Sequence, residues 1–228
     1  MIRQLSTALA VLSVAALSAS SASAILYGDF SDAAGTVSFN AVEDVNGLYG
    51  MPSVSLNSLD FTPTQFEAEC LSSCLTNPSP GLDTVDDLLT LEIDANGGQQ
   101  ITEIQISEGL DYNLQAFGPG AIASATVTAS VFVDIYEINQ VAVTGISDNF
   151  TVNFNPSGNF TQFGPAGIES GNFTGELTID IQSVLALNSV VGEATGVRIS
   201  FNNTLTAFHS GGGLASIRKR DADFVSLT

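Results

Sequence analysis

From Ala121 to Ile135 every odd position is apolar: Ala121, Ala123, Ala125, Val127, Ala129, Val131, Val133 and Ile135. The even positions between them are mostly Ser, Thr and Asp. A strand sends residues i, i+2 and i+4 to one face, whereas a helix scatters them around its axis. This stretch therefore commits the chain to a sheet with one dry and one wet face. Three other stretches alternate in the same way: Leu89, Leu91 and Ile93; Phe173, Leu177, Ile179 and Ile181; Val197, Ile199, Phe201, Leu205 and Ala207.

Shorter β candidates lie at 36–42, 52–61, 103–107, 141–146, 150–154 and 214–219. Turn residues separate them, at Asn96-Gly97-Gly98, Gly118-Pro119-Gly120, Asn155-Pro156-Ser157-Gly158 and Gly211-Gly212-Gly213. One helical turn is allowed over Thr64–Leu75, and no amphipathic helix is expected past residue 24. About ten half-wet strands predict an all-β, two-sheet antiparallel sandwich, jelly-roll-like in kind.

The first 24 residues read differently. Arg3 is followed by an apolar run from Ala8 to Leu17, and Ala22-Ser23-Ala24 is a small-x-small cleavage site. That is the anatomy of a secretory signal peptide cleaved after Ala24. The run is too short to cross about 30 Å of hydrocarbon, and no later stretch is apolar enough to span. The expectation is an exported chain, in the periplasm or at the cell surface. Residues 25–228 then form a single β-sandwich domain with no membrane span.

Loss of Arg3 leaves four bases against 24 acids, a net charge of −20. Such a surface repels phosphate backbones, which excludes nucleic acid as a partner. It attracts cations, and calcium takes several loop oxygens. The calcium candidates are Asp29 and Asp32, Glu43, Asp44 and Asn46, Asp83, Asp86 and Asp87, and Asp221 and Asp223. Structural calcium is the one cofactor expected. The plainer reading is acids solvated in turns. Asp94-Ala95-Asn96-Gly97-Gly98 opens like an EF-hand loop but carries Gln105 where the closing Glu belongs.

Catalytic groups are scarce. His209 is the only histidine and no Gly-x-Ser-x-Gly elbow accompanies it, so no catalytic residue is assigned. A glycoside hydrolase needs only two facing carboxylates, roughly 5–10 Å apart, and with 24 acids such a pair stays open. A carbohydrate-binding module would show tyrosines in a row, from Tyr27, Tyr49, Tyr112 and Tyr136. Asn149, Asn159, Asn172 and Asn202 each open an Asn-x-Thr sequon, and the Asn-Phe pairs among them fit strands with Phe inward and Asn outward. Arg218-Lys219-Arg220 reads either as a contact for an acidic envelope polymer or as charges guarding an edge strand.

The two cysteines, Cys70 and Cys74, stand four residues apart. Exported thiols are oxidised, so an isolated pair predicts a Cys70–Cys74 disulfide. The spacing is not the Cys-x-x-Cys of redox sites, and zinc lacks further ligands nearby.

Four stretches resemble bacterial secreted proteins associated with PEP-CTERM sorting. They are "YGDFSDAAGTVSFNAVEDVNG" from Tyr27, "LDFTPTQFEAE" from Leu59, "ISEGLDYNL" from Ile106 and "SFNNTLTAFHSGGGLASIRKRD" from Ser200. The resemblance implies an exported β-rich domain of a Gram-negative bacterium with no assigned activity. It brings no catalytic residues. The sequence reaches Thr228 without the Pro-Glu-Pro tag of that group. The chain is then either a tagless relative or one whose tag lies beyond Thr228. The reading that results is a non-catalytic component of the cell surface or extracellular matrix. Its candidate partners are extracellular polysaccharide and envelope components.

Overall fold

The computed structural model describes residues 24–71 and 81–228. Residues 1–23 of the expected signal peptide and the second cysteine, Cys74, lie outside the described residues. Among the described residues, thirteen strands and one short helix follow in chain order. They are β1 (Ile25–Ser31), β2 (Val37–Asp44), β3 (Ser53–Ser55), β4 (Ser58–Phe61), β5 (Glu67–Cys70), β6 (Gly81–Ala95), β7 (Glu103–Ile138), β8 (Val141–Ala142), β9 (Ser147–Thr151), β10 (Asn153–Asn155), β11 (Asn159–Phe163), β12 (Gly167–Asp180), α1 (Ile181–Leu187) and β13 (Ala194–Leu227).

β7 and β13 dominate. They pair antiparallel from Ala194 opposite Ile138 to Leu227 opposite Glu103. Midway the ladder breaks: Ser210 faces Ile122 but Gly212 faces Phe117, which leaves residues 118–121 of β7 unmatched. Gly118, Gly120, Gly211 and Gly213 all take positive φ there (90°, 79°, 87° and 140°), a conformation glycine adopts without penalty. Both strands fold over at this point. Phe201 and Phe224 of β13 show the result: their rings lie 5.5 Å apart, where an extended chain would separate them by about 75 Å.

The hydrogen-bonded sheet thus doubles back into a sandwich. One layer runs β1, β2, β6, the first half of β13 and the second half of β7, with β8, β9 and β11 along the outer edge of β7. The other runs from β4 and β5 through the second half of β13 and the first half of β7 to β12 and β10, with β3 beside β4.

The bend also switches which residues face the core. Before it, the even positions Ile104, Ile106, Leu110, Leu114 and Ala116 of β7 are buried; after it, the odd positions from Ala121 to Ile135. In β13 the odd residues Val197 to Ile217 point inward until an irregularity between Lys219 and Asp221, after which Ala222 and Phe224 do. An extra residue in one strand reverses the phase of everything beyond it.

The described residues alone hold thirteen strands where about ten were expected, partly because hairpins and edges too short to alternate leave no period-two signal. The stretch 52–61 splits into β3 and β4 around Leu56, at φ 53°. Within Thr64–Leu75, residues 67–70 are strand β5 rather than a helical turn, since Ala68 and Cys70 alternate into the core. Ile181, read as the end of a strand, begins α1; Asp180 caps it by accepting from the Ser183 amide at 3.1 Å. Arg218-Lys219-Arg220 is not on an edge. β13 is central there, with β5 on one side and β7 on the other.

Gly213 tests the bend. A Cβ there would fall 1.8 Å from the Gln115 carbonyl oxygen, so Gly213→Ala should cost at least about 1–3 kcal/mol in urea unfolding. Gly97→Ala, with nothing within 4 Å of the added carbon, should change stability by less than about 0.5 kcal/mol.

Candidate functional site

Pairing in the second layer lines up its outward side chains. Asp111 of β7 sits opposite Asn172 of β12 and Arg218 of β13. Thr174 of β12 lies opposite Asn155 of β10. Inward neighbours such as Phe173 are buried, so the amides, hydroxyls and charges are left on the outer face. Three adjoining depressions cross that face, of about 470, 500 and 500 Å³. Asn155 and Thr174 are shared by the first two, and Asp111 and Asn172 by the last two, so they form one groove. Arg218 reaches Asp111 at 3.6 Å and Arg220 also pairs with it. Both guanidiniums stay partly exposed beside the groove, at 33% and 52%.

The acids proposed for calcium mostly serve the chain itself. Asp29 accepts from the Ala41 amide at 3.0 Å, and Asp32 from those of Ala34 and Leu56 at 2.9 and 3.0 Å. Asp83 accepts from the Glu69 amide at 2.8 Å. Asp44 takes the amides of Gly47 and Tyr49, both at 2.9 Å, and the Tyr27 hydroxyl at 3.2 Å. Asp87 takes those of Asn46 and Leu48 at 2.9 Å and Leu88 at 2.8 Å. Asn46 spends its side chain on the Asp86 carbonyl at 2.9 Å. Glu43 lies on β2 and joins no cluster. Asp223 faces Asp60 across the β4–β13 pair, with Asp221 nearby. Among the described residues no three Asp, Glu, His or Cys side chains gather as a metal-holding group. Backbone amides of turns and strands donate to Asp29, Asp32, Asp44, Asp83 and Asp87.

Asp44 and Asp87 form a carboxyl pair, but both are fully buried and backbone amides donate to their oxygens. Tyr27, Tyr49, Tyr112 and Tyr136 form no row. Tyr49 is buried, Tyr112 stacks on Phe160 at 3.8 Å, and Tyr136 donates to Asp94. His209 is fully buried within β13 beside the bend. Asn149, Asn159, Asn172 and Asn202 are all exposed, whereas Phe160 and Phe173 point inward. Cys70 is buried and is not a free thiol.

One cluster escaped the sequence reading. Lys219, the only lysine, is fully buried between the layers and ion-pairs with Glu108, also buried. Asn203 donates its Nδ2 to the same Glu108 oxygen, Oε2, at 2.6 Å. Around the Lys219 Nζ stand Tyr49, Phe66 and Phe201, with centroids 5.4, 5.6 and 5.1 Å away. Each polar member sits where its strand's pattern demands an apolar residue: Ile104-Ile106-Glu108-Leu110, Phe201-Asn203-Leu205 and Ala215-Ile217-Lys219. A polar residue in an inward phase is the signal that was available.

No protein-family model matches the chain, and no curated protein matches it. Solved structures offer faint likenesses. A carbohydrate-binding module, TmCBM61, in complex with β-1,4-galactotriose is 12% identical over 84% of this chain and 86% of that one, with a TM-score of 0.19. Endoglucanase 3 of Trichoderma harzianum, from family GH12, is 10% identical over 90% and 96%, at 0.22. An infectious bursal disease virus structure is 11% identical over 79% and 39%, at 0.24. Scores of this size transfer neither a site nor an activity.

The Asp44–Asp87 pair leaves a pH signature. Burial, and then the hydrogen bond with Asp44, push the Asp87 carboxyl from its ordinary 3.8 up to about 7, against the pull of the Leu48 and Asn46 amides. The native state therefore keeps a proton that the unfolded chain has released above pH ~4. This contribution is complete below that pH and is lost as pH rises through about 7. Urea unfolding across that window should show a falling component of up to about 1.4 kcal/mol per pH unit, and Asp87→Asn should flatten it.

Proposed function

We propose that this is an exported, non-catalytic β-sandwich that holds a polysaccharide along the outer face of its second layer. The observation that carries the reading is the groove shared by β13, β7, β12 and β10. Its lining of Asn153, Asn155, Asn172, Thr174, Asp111 and Arg220 suits a chain of hydroxyls. Amides and hydroxyls both donate and accept, so they match a sugar ring's hydroxyls without a charge to neutralise. Asp111, held by two arginines, is a fixed acceptor rather than a free acid, which favours binding over hydrolysis. Export follows from the leader at 1–24, and the envelope or extracellular matrix is where such a ligand is met.

Electrophoresis through gels containing neutral or acidic polysaccharides tests this. At least one polymer should retard the full chain, and Asn172→Ala with Thr174→Ala should weaken retardation at least about tenfold, the loss of ~1.4 kcal/mol. Unaltered mobility in every polymer would sink the reading.

The same compartment makes Cys70–Cys74 a local staple at the end of β5, closing a small ring that contributes roughly 2 kcal/mol. Peptide mapping without reductant should recover the two cysteines joined; two free thiols would refute the pairing.

A further inference from the structure

The buried polar cluster belongs to neither the groove nor the turns. Lys219 and Glu108 lie on the second layer, and Asn203 on the first, so the three meet across the sandwich. As a plain ion pair the arrangement is poor. Glu108 Oε1, Asn203 Oδ1 and the Tyr49 hydroxyl, all buried, have no hydrogen-bond partner among the described residues. A buried ion pair recovers its desolvation cost only when such groups are satisfied. What the cluster does provide is a nucleophile, an electrophile and a proton carrier. The Lys219 and Asn203 side-chain nitrogens converge on one oxygen, Glu108 Oε2.

We propose that Lys219 Nζ and Asn203 Cγ condense into an intramolecular isopeptide bond across the two layers, with Glu108 carrying the protons.

The step balances. Lys219 passes a proton to Glu108 and becomes a neutral amine. Nζ attacks the Asn203 side-chain carbonyl, and the Nζ–Cγ bond forms. Glu108 gives its proton to Nδ2 and takes one from Nζ. The Cγ–Nδ2 bond breaks, and ammonia leaves. An amine and a primary amide become a secondary amide and ammonia, with no oxidant, reductant or cofactor. Glu108 ends as it began the attack, protonated.

The surroundings favour each part. Burial pushes the Lys219 pKa down, against the opposing pull of Glu108, and so favours the nucleophilic neutral form. Tyr49, Phe66 and Phe201 wall the amine with rings and keep water from the product. Glu108 stands between the attacking and leaving nitrogens, where a general acid–base acts on both. The bond replaces a buried ammonium with a neutral amide. It also closes a ring over the Gly211–Gly213 bend, tying the halves of β13 together.

Lysine 219 is the only lysine, so the test is direct. The full chain, unfolded in guanidinium and reduced, is treated with an amine-reactive ester, then digested and weighed. The expected result is no label at Lys219 and a branched peptide joining the segments that hold Asn203 and Lys219, lighter than their sum by one ammonia. Glu108→Gln and Asn203→Ala should each restore full labelling at Lys219. A wild-type chain labelled at Lys219, with both segments recovered separately, overturns the proposal. A branch between Lys219 and Glu108, lighter by one water, overturns it equally. A Glu108→Gln chain that still forms the branch removes Glu108 from the mechanism. The wild-type result decides the bond even where a variant fails to fold.

Discussion

The pairing of β7 with β13 is the constraint on which the rest of the molecule depends. Among the described residues these two strands alone pass through both layers, and every other strand reaches one of them directly or through one or two intervening strands. Their shared bend turns one hydrogen-bonded sheet into a sandwich. Pairing resumes beyond the unmatched residues 118–121, so both layers belong to one sheet. The cost is local: four glycines at positive φ, where other residues would be strained.

The same pairing builds both places of interest. On the outside it sets Asp111, Arg218 and Asn172 side by side, and so lays down the polar groove. On the inside it carries Glu108 and Lys219 toward Asn203 from the opposite layer. Arg218, Lys219 and Arg220 show the division most plainly. Strand alternation sends the two arginines to the groove and the lysine into the core. A run of charge that looks uniform in the sequence therefore serves two unrelated environments.

Acidity is likewise divided by position rather than composition. Asp29 and Asp83 accept from strand amides, Ala41 of β2 and Glu69 of β5, while Asp32, Asp44 and Asp87 accept from turn amides, each supplying a partner that a backbone amide would otherwise lack. Turn formation and calcium binding call on the same residue types, Asp and Asn in short runs, so the sequence does not separate them. Asp44 and Asp87 go further, since burying two carboxyls together raises the proton affinity of one of them.

Alternation alone determined that the chain is all-β, that Ala123, Val131, Ile199 and Phe201 face a core, and that the phenylalanines of the Asn-Phe pairs near 160 and 173 turn inward. A period of two is a local property, and each residue carries it without knowledge of its partners. Tertiary structure alone decided that the candidates at 103–107 and 121–135 are one strand, and likewise those at 197–207 and 214–219. In β7 the bend reverses the phase, and in β13 the three glycines 211–213 interrupt it, so the pattern breaks where the strand does not. It also decided the company kept by Glu108, Asn203 and Lys219. Their inward phases are written in the sequence, but their meeting requires a strand to fold back on itself, and no local pattern encodes the distance between residues far apart along the chain.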